Sequence, residues 1–192
     1  MGYPLGMTRV LTLILIFLAA SVSAAPESYT LVPKGSEISF TYSLSGAPTK
    51  GKMGVGKTQM ILDFEDVSRS KVDVTLDLSR ARAGLVFATD AMRSATVLNV
   101  AEFPKARFVS TSVRRTSTGA RLAGNLTLRG VTRPFELDAR IFRARGSDPE
   151  DLSELSIVLT GRMNRNNFGA TGYPDLVGPN VDLRITARVI RN

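Results

Sequence analysis

The chain has 192 residues, 43% of them hydrophobic, with 25 Lys+Arg against 17 Asp+Glu for a formal charge of +8, and it contains no Cys, His or Trp. Without Cys there are no disulfides and no thiol nucleophile; without His there is no imidazole base; together these absences exclude nitrogen–sulfur metal sites. The positive charge admits nucleic acid, an anionic membrane or an acidic protein as partner, but Arg121, Arg140, Arg143, Arg145, Arg184 and Arg188 are dispersed rather than gathered in one basic run, which argues against nucleic acid.

Residues 1–24 read as a secretory signal peptide. Arg9 precedes an apolar run from Val10 to Ala20, broken only by Thr12, and Ser21-Val22-Ser23-Ala24 follows with small residues at the positions before a cut. The run is too short to span ~30 Å of hydrocarbon as a helix. The expected mature protein is therefore a single domain over 25–192, exported from the cytoplasm and stabilised by core packing alone.

From there a period of two dominates. Weaker strands are expected at Tyr29 to Val32, Glu37 to Leu44 and Val55 to Asp63. Val72 to Leu78 alternates strictly. Thr89-Asp90 then looks like the cap of a helix from Ala91 to Val97, a helical excursion near residues 90–99. Strands resume at Arg107 to Val113, Arg121 to Leu128, Pro134 to Phe142, Ser156 to Met163 and Val181 to Val189. Turn signals separate them at Ser45-Gly46-Ala47-Pro48, Ser117-Thr118-Gly119, Arg129-Gly130 and Gly146-Ser147-Asp148-Pro149. Short alternating strands at this spacing indicate an all-β antiparallel barrel or sandwich. A barrel of about eight strands can enclose one small ligand. Its inward positions would be Phe40, Tyr42, Phe108, Leu126, Phe135, Leu137, Leu183 and Ile185. The same residues also describe a solid core, because alternation marks the inner face and not its emptiness.

Two motifs are decoys. Gly51-Lys52-Met53-Gly54-Val55-Gly56-Lys57-Thr58 fits the phosphate-loop pattern letter for letter, but that loop must open a helix after a buried parallel strand. Here Gln59 to Phe64 alternates like a strand, and an exported protein lacks a nucleotide supply, so the glycines are read as strand bends or close backbone approaches. Ser68-Arg69-Ser70-Lys71 has acyl-enzyme spacing but lies in a polar turn without the companion motifs. The carboxylates Asp63, Glu65 and Asp66 have no spacing that favours glycoside hydrolysis or calcium over a solvated turn. Asn125-Leu126-Thr127 is a formal glycosylation sequon inside an expected strand. No catalytic residue, metal, cofactor or nucleotide is expected.

The stretch from Gly124 to Phe135, reading GNLTLRGVTRPF, resembles the signature hairpin of the YceI-like polyisoprenoid-binding family. Four further stretches agree in order: Tyr29 with Ser36 to Phe40; Thr89 to Ser94 leading to Glu102-Phe103-Pro104 and Phe108; Asn164 to Gly169; and Val177 to Val181. The resemblance spans essentially the whole expected mature chain. It implies an eight-stranded antiparallel, lipocalin-like barrel in the periplasm, acting as a binding or carrier protein for an isoprenoid lipid or quinone-like tail held inside. The eight inward residues named above become ligand-binding candidates, with Tyr42, Arg129 or Asn167 near the mouth to orient a headgroup. The basic surface, rather than the resemblance, adds transient contact with an anionic membrane surface as a partner, and the oligomeric state stays open, a dimer included. The chain departs from the family where Gly35 stands in place of a common His, and where Val97-Leu98-Asn99 replaces Phe-Phe-Asp. The competing expectation is a cavity-free barrel acting as a stress-associated interaction module.

Overall fold

The computed structural model describes residues 25–143, 146–148 and 150–192; the expected signal-peptide segment, the basic residue Arg145 and the expected turn residue Pro149 lie outside them. Nine strands run in chain order: β1 (Glu27–Leu31), β2 (Glu37–Leu44), β3 (Ala47–Leu62), β4 (Lys71–Arg82), β5 (Lys105–Thr116), β6 (Gly119–Leu128), β7 (Val131–Phe142), β8 (Glu154–Asn164) and β9 (Val177–Arg191). One helix, α1 (Val86–Arg93), lies between β4 and β5. All pairings are antiparallel, and β3 pairs with β4 to close the sheet on itself.

Nine strands occupy eight places around this barrel. Both β1 and β2 pair with β3 on one side and β9 on the other. Tyr29 faces Met60 and Arg191, whereas Phe40 faces Gly51 and Leu183. The two are one strand interrupted at 32–36, where Pro33 supplies no N–H donor and Gly35 takes φ +97°. The expected eight-stranded barrel is thus present, with its first strand broken in two.

Turn chemistry fixes the register at one end, called the helix end here because α1 covers it. The β2–β3 and β6–β7 hairpins have two-residue loops, Ser45-Gly46 and Arg129-Gly130, and all four residues have positive φ. That is the type I′ turn, whose twist matches a right-twisted ribbon and which a glycine at the second position relieves of strain. With register set, alternation sends Val74, Leu76 and Leu78 of β4, Leu122 and Leu126 of β6, and Leu137 and Ala139 of β7 inward. Charged residues on the outer face pair across strands: Arg107 with Asp73, Arg121 with Asp138, Arg162 with Asp182 and Arg188 with Glu154. Two of the dispersed arginines, Arg121 and Arg188, are therefore partners in an exposed cross-strand lattice, each pair worth little alone.

Two expectations need correction. The helix spans Val86–Arg93, not Ala91 to Val97. Thr89 is not its cap but a buried residue within it; its hydroxyl donates to the Leu85 carbonyl (2.8 Å) and accepts from the Ala83 N–H (3.0 Å). Second, β3 begins at Ala47, so the phosphate-loop look-alike lies entirely within a strand. At Gly51 a Cβ would stand 2.2 Å from the Phe40 ring and 2.5 Å from the Arg82 carbonyl, so only glycine lets the layers meet there. Gly54 follows a register shift against β4, and Gly56 lies within another.

Candidate functional site: a divided apolar interior

The barrel is hollow. Two cavities of about 200 Å³ each lie inside it, each larger than the ~150 Å³ apolar cavity that stays dry and accepts benzene. The first fills the barrel body and reaches the end opposite α1, where Asp63, Phe64 and Val67 form its floor. The second lies at the helix end, between α1, the segment 170–176, the end of β2 and the start of β9. Four side chains belong to both walls: Met53, Leu128, Met163 and Leu183. They form a waist between two chambers.

Of the eight inward candidates, Phe108, Leu126, Phe135, Leu137, Leu183 and Ile185 line the first chamber, while Phe40, Tyr42 and again Leu183 line the second. Strand register brings them together: Phe108 faces Leu126, and Phe40 faces Leu183. Phe108 and Phe135 meet edge to face with centroids 6.4 Å apart. The rings therefore form wall rather than filling. Cavity-free packing, the competing expectation, does not describe this interior.

Five polar side chains at the chamber walls, Ser36, Tyr42, Asp63, Ser70 and Arg165, are held by the fold. Tyr42 donates its hydroxyl to the Ala83 carbonyl at 2.8 Å, and burial pushes its phenol above the ordinary value. Asp63 is buried, in contrast to the solvated turn expected: it accepts from the Glu65 and Asp66 N–H groups (3.0 and 2.7 Å) and pairs with Arg69 at 2.5 Å. Asp63 and Asp66, the latter accepting from the Ser68 N–H (3.0 Å), build the β3–β4 turn. Arg129 donates to the Ala95 carbonyl and Asn167 accepts through its own carbonyl from Arg133; neither belongs to a chamber wall. Among the described residues, no group of three or more acidic side chains is placed to hold a metal ion.

Sequence reasoning passed over one buried cation. Arg165, at the wall of the second chamber, donates from Nε to Gly178 O (3.1 Å), from Nη1 to Ala170 O and Gly172 O (2.6 and 2.8 Å), and from Nη2 to Val177 O (2.9 Å). Desolvation lowers its pKa from the usual value. Its guanidinium ties the segment after β8 to the start of β9 and so closes the helix end. The Met53–Met163 waist and the lid residues Ala88 and Met92 were also missed, since only the closed barrel brings them beside the named strands.

A profile of the YceI-like domain matches residues 29–189, from within β1 to within β9. The chain belongs to the YceI-like domain family. The UPF0312 protein of Serratia proteamaculans (strain 568) is 33% identical over 129 residues, which is 67% of each protein. Protein YceI of Salmonella arizonae is 35% identical over 109 residues, 57% of this chain and 56% of that one. Among solved structures, Burkholderia cenocepacia BcnA superposes with a TM-score of 0.68 at 15% identity, covering 80% of this chain and 95% of that one. A polyisoprenoid binding domain from Saccharophagus degradans superposes with a TM-score of 0.61 at 11% identity, covering 86% and 99%. The lipocalin-like YceI barrel is therefore the fold of this chain. The family hairpin Gly124 to Phe135 is the β6–β7 pair, and the Asn164 to Gly169 stretch is the 3-10 turn that carries Arg165.

Proposed function

We propose that the protein binds and carries an isoprenoid-type lipid, with a polyprenyl or quinone-like tail held in the barrel, and works in the periplasm after residues 1–24 are removed. The observation that carries this reading is the pair of adjoining apolar chambers. An unfilled apolar cavity costs about 24 cal/mol per Å³, so each chamber left empty forfeits on the order of 5 kcal/mol. That is a large share of a typical stability of about 5–15 kcal/mol. A methyl-branched hydrocarbon tail restores those contacts and gains about 0.8 kcal/mol for each CH₂ it removes from water. The wall makes few polar demands, so selection within it is by length and girth, and a polar headgroup stays outside. The family membership and the polyisoprenoid-binding neighbour support this ligand class. The role is binding rather than catalysis: the chain contains no imidazole or thiol, and the wall groups Tyr42, Asp63 and Arg165 are engaged in holding turns and carbonyls.

Leu126→Arg and Phe108→Asp place a charge in the first chamber. Uptake of a long polyprenol from detergent-free suspension is expected to disappear in both variants, with far-UV circular dichroism confirming a retained β-barrel. A folded variant that still takes up the polyprenol contradicts the proposal.

A further inference from the structure

The second chamber opens at a rim of exposed apolar side chains. Leu85, Val86 and Phe87, where α1 begins, are 46%, 82% and 65% exposed; Tyr173 and Leu176, on the segment before β9, are 44% and 52% exposed. Phe87, Tyr173 and Leu176 also line the chamber, so cavity wall and outer rim are one continuous apolar surface. Five large apolar side chains gathered at one mouth differ from the single exposed ones normal on a soluble surface. The helix start adds to this, because Leu85 at its cap provides no capping side chain while Ala88 and Thr89 take the buried face.

Cations flank the rim. Arg82 ends β4 three residues before Leu85, and the Lys50 carbonyl stands 2.5 Å from where a Cβ on Gly84 would be. Both residues are exposed and neither makes an ion pair among the described residues; Arg82 donates one bond, from Nη1 to the neighbouring Ala81 carbonyl (3.0 Å). Acids at this end include Asp90, one helical turn after Val86, Asp175, between Tyr173 and Leu176, and Glu102, which accepts from the Asn99 amide (2.7 Å).

We infer that this rim docks on the surface of an anionic phospholipid bilayer. Val86, Phe87 and Leu176 enter the boundary between headgroups and acyl chains, while Lys50 and Arg82 meet lipid phosphates. The chamber mouth then faces hydrocarbon, and a tail passes between membrane and barrel without crossing water. Continuity with the chamber selects this occupant over a second copy of the chain: the apolar wall runs onto the rim through Phe87, Tyr173 and Leu176, so a bilayer covering the rim also presents tails to the mouth, whereas a second copy would seal it. The inference rests on the carrier reading, since it assigns the rim to the mouth of the tail-holding chamber.

The test is co-sedimentation of the purified protein with vesicles of phosphatidylglycerol and phosphatidylethanolamine, beside vesicles of phosphatidylcholine alone. The unsubstituted protein is expected to sediment with the anionic vesicles. The double variant Val86→Glu, Phe87→Glu should lose that binding at least tenfold, and Lys50→Glu with Arg82→Glu should weaken it and flatten its salt dependence. The apolar positions are highly exposed, so the fold is expected to survive. Equal sedimentation of the Val86/Phe87 variant, or no sedimentation of the unsubstituted protein, overturns the inference. So does a vesicle-free dimer that those substitutions split, which would make the rim a contact between copies. Polyprenol content of each protein, read by mass spectrometry, tests the carrier reading separately, so failure of one is told apart from failure of the other.

Discussion

Arg165 places a cation inside the protein with four carbonyl partners. Its planar fork reaches the carbonyls of Ala170, Gly172, Val177 and Gly178 at once. A lysine has three donors at one point and cannot span them. Each buried carbonyl left without a donor costs about 1–3 kcal/mol. Arg165→Lys is therefore expected to lower the stability measured by urea unfolding by about 2–4 kcal/mol, and the lid over the second chamber should be the first region to exchange its amide hydrogens. A change under about 0.5 kcal/mol would show that the four bonds do not hold that end. Much of this residue's role was hidden in the sequence. Arg165 stands in a recognisable family stretch, but its carbonyl partners lie on the following loop and on β9, and only the closed end brings them within 3.1 Å.

At the scale of elements, the waist decides what the interior can hold. Met53 comes from β3, Leu128 from β6, Met163 from β8 and Leu183 from β9, so four strands meet at one constriction. Methionine is unbranched and adapts its shape at low cost, which lets a tail thread from one chamber to the other. Met163→Trp is expected to close the passage: short isoprenoid alcohols still bind in one chamber, while long polyprenols lose affinity by at least tenfold, about 1.4 kcal/mol. Met163→Ala should relax that length limit. Affinities measured across a series of isoprenoid alcohols check both, and an unchanged length profile in Met163→Trp would mean that tails do not pass the waist.

The strands were the most legible elements. In β4, β6, β7 and β9 the alternation is nearly unbroken, and the inward set read from it does line the chambers. Less legible were places where tertiary contact overrides local signal. Thr89-Asp90 has the chemistry of a cap, yet the Thr89 hydroxyl turns back to the Leu85 carbonyl inside a helix whose true start offers no capping side chain. The first half of β3 looked like a phosphate loop because its glycines are there to admit the Phe40 ring and the β4 backbone. The hollowness of the barrel could not be read from the residues either, since it depends on how far opposite faces stand apart.

As a whole molecule, the protein is insulated from mild changes of pH. It has no histidine, so no side chain at an ordinary pKa changes charge between about pH 5 and 8. Six of its carboxylates are held down instead. Hydrogen bonds from arginines lower the pKa values of Asp73, Asp182 and Glu154, and bonds from serine hydroxyls lower those of Asp66, Asp77 and Asp151. A carboxylate with a lowered folded-state pKa adds stability above its unfolded value, 3.8 for Asp and 4.5 for Glu. That contribution is lost as the pH falls through the lower folded value. Thermal melts should accordingly be flat from about pH 8 to 5 and fall below about pH 4, and a step near pH 6.5 would contradict this ordering of charges.

The central claim is that the two chambers hold an isoprenoid tail in the working protein. Native mass spectrometry of the protein recovered from a periplasmic extract without detergent, followed by organic extraction, measures this most directly. The predicted result is a discrete added mass that extracts as a polyprenyl or quinone-like lipid. A bare protein mass, unchanged after incubation with polyprenyl lipids, would contradict the claim and leave the chambers without the ligand their shape is argued to fit.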